Sequence, residues 1–74
     1  MDKAQRARVL GELADAELFL AQGAQNLADQ EKRVANLRRS GHDIERHEIL
    51  LETFRETYAQ QLSHRDLLVR ELSE

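Results

Sequence analysis

Apolar side chains recur along this 74-residue chain with a period near 3.5 residues, the spacing of one face of an α-helix. Only the segment Ser40-Gly41-His42-Asp43 interrupts the pattern. Gly41 is a C-cap signal, because glycine takes the left-handed conformation at little cost, and Asp43 suits the N-cap of a following helix. The pattern predicts an all-α, single-domain chain (residues 1–74): an antiparallel two-helix hairpin with helices at about 3–39 and 44–72 and a turn at 40–43.

The turn is short, so the two helices must pack against each other in opposite directions. On the first helix we expect the contact face to consist of two rows of residues, each repeating every seven positions. One row is Leu10, Glu17, Ala24, Glu31 and Arg38. The other row is Leu13, Leu20, Leu27 and Val34. On the second helix the corresponding rows are Ile44, Leu51, Tyr58, Arg65 and Leu72, and His47, Phe54, Gln61 and Leu68. Folding at Gly41 places Glu17 opposite Arg65, Ala24 opposite Tyr58, and Leu27 opposite Phe54. These pairs are the predicted determinants of register, and polar groups in such a seam often serve that role.

One helix cannot cover all of the apolar surface of the other. Four alanines repeat every seven residues on the first helix, and Leu62 and Val69 are left over on the second; the alanines are Ala14, Ala21, Ala28 and Ala35. A two-helix hairpin of this size buries little apolar area to offset the conformational entropy that its chain loses on folding. We therefore expect this face to form a homodimer, a four-helix bundle, while a different protein partner would satisfy the same surplus.

Composition narrows the classes of function. The chain has no cysteine and therefore no disulfide or thiolate metal site, and its net charge is −3. No apolar run reaches the length of a membrane span, and the N-terminal residues lack the apolar core of a signal peptide. We expect a cytoplasmic protein without membrane association.

Candidate chemistry is sparse. His47-Glu48 begins a zinc-protease motif, but Leu51 stands where the second histidine belongs. Ser63 and His64 are adjacent on a helix and project about 100° apart, so they cannot act as nucleophile and base. We therefore predict no catalytic residues, no metal ligands and no cofactor.

A cluster of basic residues precedes the turn and is the candidate nucleic-acid contact: Lys32, Arg33, Arg38 and Arg39. A dimer would display two copies of it. Against this interpretation, no aromatic residues interleave with the cations for base stacking, and the acidic net charge disfavours non-specific binding.

Most of the chain resembles a group of short bacterial hairpin proteins. The likeness begins at Gly23 and passes through the turn Gly41-His42-Asp43 to Glu71-Leu72; between them it includes Leu27, Gln30, Val34, Leu37, Leu50, Leu51, Phe54, Thr57, His64 and Arg65. On these residues it is similar to helical-hairpin proteins of unknown function common in alphaproteobacteria. The resemblance implies the hairpin fold and a bacterial origin. In architecture the chain is also similar to Rop, a helical-hairpin dimer that binds RNA.

The sequence thus predicts a small non-catalytic module for protein interaction or regulation through helix–helix association. The alternative is a Rop-like hairpin dimer that binds RNA or DNA.

Overall fold

The computed structural model describes residues 1–74 and contains two α-helices, α1 (Lys3–Arg39) and α2 (Glu45–Ser73). They pack against each other along their length, which confirms the predicted helical hairpin and its boundaries to within a residue. α1 begins at Asp2, whose carboxylate accepts a hydrogen bond from the Gln5 N–H at 2.7 Å. This cap satisfies one of the free N–H groups of the first turn.

The turn is held by a glycine in the left-handed conformation. Gly41 has φ +76°, and the N–H groups of Gly41 and His42 donate to the carbonyls of Arg38 and Leu37 at 3.2 and 3.1 Å. This pair of hydrogen bonds is a Schellman motif, and it satisfies carbonyls that the helix end would leave unpaired. Asp43 accepts a hydrogen bond from the Glu45 N–H at 3.1 Å, but the residue at the helix boundary is Ile44, one place later than predicted.

The hairpin is a rod of 58 × 14 × 14 Å with a small core. Only seven residues are buried, and the one cluster among them joins Val9 and Ala16 of α1 to Leu68 of α2. Leu13 and Leu72 pack against this cluster at the end of the rod remote from the turn. Two layers of helix have no interior beyond their shared seam, so most side chains keep contact with solvent.

The predicted contact face of α2 is confirmed, but that of α1 is half wrong. The row Leu13, Leu20, Leu27 and Val34 lies in the seam as expected. The second row of the seam is displaced by one residue and consists of Val9, Ala16, Gly23, Gln30 and Leu37, whereas Leu10, Glu17, Ala24, Glu31 and Arg38 are exposed. The displacement keeps the charged side chains of Glu17, Glu31 and Arg38 in water. Burying each of them without a partner would cost several kcal/mol.

Candidate interaction surfaces

The predicted ion pair between Glu17 and Arg65 does not form. Glu17 is exposed, and the Arg65 Nε donates instead to the neighbouring Asp66 carboxylate at 2.9 Å. Because the seam of α1 is displaced by one residue, Glu17 lies at its edge, where it and Arg65 border the same shallow groove. The pair therefore does not set the register.

Gly23, rather than Ala24, lies against Tyr58. A β-carbon built at Gly23 would lie 3.3 Å from Tyr58 Cδ2 and 2.9 Å from Gln61 Oε1, whereas Ala24 is exposed. A small residue does pack against Tyr58, as predicted, but it is the residue one position before the predicted Ala24. Leu27 and Phe54 are both half-buried on the contact face, as expected.

Gln30 is the one polar residue that is buried in the seam row missed by the sequence prediction. The residue is 3% exposed, and its Nε2 donates to the His47 carbonyl at 3.0 Å, which ties the last third of α1 to the first turn of α2. A buried amide needs such a partner. Gln30 falls seven residues after Gly23 and seven before Leu37, so that heptad step was the available signal.

The predicted dimer face is exposed in the single chain. The four alanines lie on one side of α1 and are all exposed, as is Val69, while Leu62 is half-buried; we call this surface, Ala14, Ala21, Ala28, Ala35, Leu62 and Val69, the alanine face. Shallow grooves run along it between the helices, one of them lined by Ala21, Ala24 and Leu62. Small side chains let another helix approach closely.

The four basic residues before the turn do not form one patch. Arg38 forms an ion pair with Glu48 of α2 at 2.5 Å, and Arg39 donates to the Asn36 side chain, also at 2.5 Å. Lys32 and Arg39 are seven residues apart and share a side of α1, whereas Arg33 borders a different groove beside Leu50 and Phe54. Arg38 is thus already paired with a carboxylate of α2.

A groove that the sequence analysis did not predict lies on the side of the seam away from the alanine face. It has a volume of about 240 Å³ and is formed by both helices. Its walls contain every aromatic residue of the chain, Phe19, Phe54 and Tyr58, with Gly23 among the lining residues. The remaining lining residues are uncharged: Gln22, Asn26, Thr53, Thr57 and Gln61. We call it the aromatic groove.

No protein-family model, curated protein or solved structure matches this chain. No three acidic, histidine or cysteine side chains lie close enough to hold a metal ion. Neither helix has a stretch long and apolar enough to cross a membrane.

Proposed function

We propose that this chain is a small, non-catalytic cytoplasmic interaction module that self-associates through the alanine face into a four-helix bundle. The observation that carries the proposal is the amount of exposed surface. The solvent-accessible surface is 5721 Å², whereas a compact monomer of 8.6 kDa would have about 4,700 Å². The excess, about 1,000 Å², is comparable to the roughly 800 Å² that each partner contributes to a standard interface.

The shape of the chain supports the same conclusion. Its radius of gyration is 16.9 Å, against about 11 Å for a compact domain of 74 residues. A rod buries more of its surface by lying alongside another rod than by bending. Two hairpins side by side would create a central core among four helices, which a single hairpin lacks.

The alanine face is the side of the rod best suited to this contact. Its alanines lose no side-chain entropy on burial, and their size allows the close approach of two helix backbones. Leu10 and Val69, at 46% and 44% exposed, add larger apolar side chains near the end remote from the turn. In a twofold-symmetric dimer each of these residues would be buried in both subunits, so each contributes two copies to the interface.

Sedimentation equilibrium over about a hundredfold range of concentration tests the proposal. We expect a species of about twice the chain mass of 8.6 kDa at the upper concentrations. Ala21→Lys should weaken the dimer at least about tenfold, since a buried, unpaired ammonium group costs more than 1.4 kcal/mol.

The matched control is Leu67→Lys. Leu67 is 53% exposed and projects about 160° away from Val69 around α2, so the same charge there should leave the dimer unchanged. Equal weakening by both variants would contradict the assignment of the alanine face. A helical monomer at every concentration would contradict self-association itself, and a different protein would then have to cover this face.

A further inference from the structure

The aromatic groove combines two features that a solvated helix surface does not need. First, the three aromatic side chains of the chain, Phe19, Phe54 and Tyr58, all line it, although aromatic residues make up only 4% of the sequence. Second, none of its lining residues is charged, in a chain in which 34% of the residues are charged. Phe19 remains 53% exposed at the edge of the groove, so its ring is accessible to a ligand.

An unsatisfied polar atom lies beside the same groove. The side-chain oxygen of Gln61, Oε1, is buried and has no hydrogen-bond partner. It lies over Gly23, where the missing β-carbon leaves it room. A buried acceptor without a partner costs about 1–3 kcal/mol. Rotation about the last side-chain torsion of Gln61, which is broad, would exchange Oε1 with Nε2 and turn the oxygen toward the groove; the carboxamide has no hydrogen bond to break.

We propose that the aromatic groove is a binding site for a small, uncharged aromatic molecule that carries an N–H donor. The rings of Phe19, Phe54 and Tyr58 supply edge-to-face or offset contacts to a planar ligand. Gln61 Oε1, once the carboxamide has turned it toward the groove, accepts the ligand's N–H. The volume, about 240 Å³, accommodates one mono- or bicyclic ring system.

The absence of charge on the groove walls selects against ionised ligands. A carboxylate or ammonium group placed there would lose hydration and find no opposite charge among the lining residues. The amides of Gln22 and Asn26 and the hydroxyls of Thr53 and Thr57 can bond other polar atoms of a neutral ligand. This site lies away from the alanine face, so it does not depend on the proposed dimer.

Titration of the full-length, ¹⁵N-labelled protein with indole, followed by NMR, tests the proposal. The expected result is saturable shifts of the Gly23 backbone amide and of the Gln22, Asn26 and Gln61 side-chain amides. Benzofuran has the same shape as indole and oxygen in place of N–H. It should bind about fivefold more weakly, the effect of one hydrogen bond.

Variants locate the site and the hydrogen bond. Phe19→Ala should abolish saturation, whereas Leu18→Ala, a similarly exposed control at 58%, should not. Gln61→Met keeps the length of the side chain and removes the acceptor, so the preference for indole over benzofuran should disappear. Circular dichroism on each variant establishes that the helices remain intact, and a Gln61→Met variant that retains the preference would overturn the role of Oε1.

Three further outcomes would overturn the site itself. These are the absence of saturation up to about 10 mM indole, shifts spread equally over the alanine face, and equal losses in Phe19→Ala and Leu18→Ala. N-acetyltryptophanamide presents the same indole ring as part of a peptide unit. If it bound more than about tenfold tighter than indole, the occupant would be a tryptophan side chain of a protein rather than a small molecule. Oligomeric state, measured on the same samples, tests the proposed dimer separately.

Discussion

Glycine is the residue type whose effect on stability in this chain depends most strongly on position. Gly11 and Gly23 both lie inside α1, where glycine costs about 1 kcal/mol relative to alanine. A β-carbon at Gly11 would meet nothing within 4 Å, whereas one at Gly23 would press on Gln61 and Tyr58. Gly23 is therefore in tight contact with α2, and Gly11 is not.

These surroundings predict different outcomes for the same substitution. Gly11→Ala should raise the free energy of unfolding by about 1 kcal/mol through helix propensity alone. Gly23→Ala should raise the free energy of unfolding by clearly less, because the Gln61 carboxamide and the Tyr58 ring must move to admit the methyl group. Urea unfolding followed by circular dichroism measures both. Equal gains would mean that Gly23 is not in tight contact with α2.

Glu17 and Arg65 provide a second test at the residue scale. Since Arg65 pairs with Asp66 and Glu17 is exposed, substitutions at the two positions should act independently. In a double-mutant cycle with Glu17→Ala and Arg65→Ala, the coupling free energy should be below about 0.5 kcal/mol. A coupling of 1 kcal/mol or more would indicate that the two side chains pair across the seam after all, as the sequence pattern alone had suggested.

At the scale of the elements, the turn determines where α1 ends and how α2 returns. Its glycine adopts a conformation that costs other residues about 1–2 kcal/mol. Around it, the hydrogen bonds of the Schellman motif close the helix end, and Arg38 bridges to Glu48 across the turn. That ion pair joins side chains 65% and 46% exposed, so it contributes little to stability by itself.

Gly41→Ala should therefore lower the free energy of unfolding by about 1–2 kcal/mol, since φ at this position is +76°. Gly11→Ala is the natural control, because the same change there should act in the opposite direction. Thermal and urea unfolding give the sign directly. A neutral Gly41→Ala variant would show that the left-handed conformation is not required at the turn.

Helix periodicity explains why the elements were predictable and the contact face of α1 was not. In α1 the row Leu13, Leu20, Leu27 and Val34, the leucine row, is flanked by two alternative rows that also repeat every seven residues. One of these begins with Val9 and the other with Leu10, and both of these first residues are apolar. A helix forms equally well with either row in the seam. The choice depends on the partner: Tyr58 and Gln61 of α2 need the space that Gly23 leaves.

At the scale of the whole molecule, stability should depend on protein concentration. A rod with seven buried residues has little core of its own, and association would stabilise the folded state by mass action. The midpoint of thermal unfolding should rise across a hundredfold increase in concentration in the unmodified chain and in Leu67→Lys. It should rise less in Ala21→Lys. A midpoint independent of concentration in all three would contradict coupled folding and association.

The sequence by itself determined the helices, their ends, the turn and the leucine row, because these depend on local hydrogen bonding, caps and the spacing of apolar residues. Only the tertiary structure decided which neighbouring row joins the seam, that Gln30 is buried and bonded to His47, and that Arg65 pairs within its own helix. It also brought together the aromatic groove, whose residues come from positions 19–26 of α1 and 53–61 of α2. The heptad step through Gln30 and the charges of the rejected row were partial signals in the sequence, but the contacts themselves depend on the shape of the facing helix.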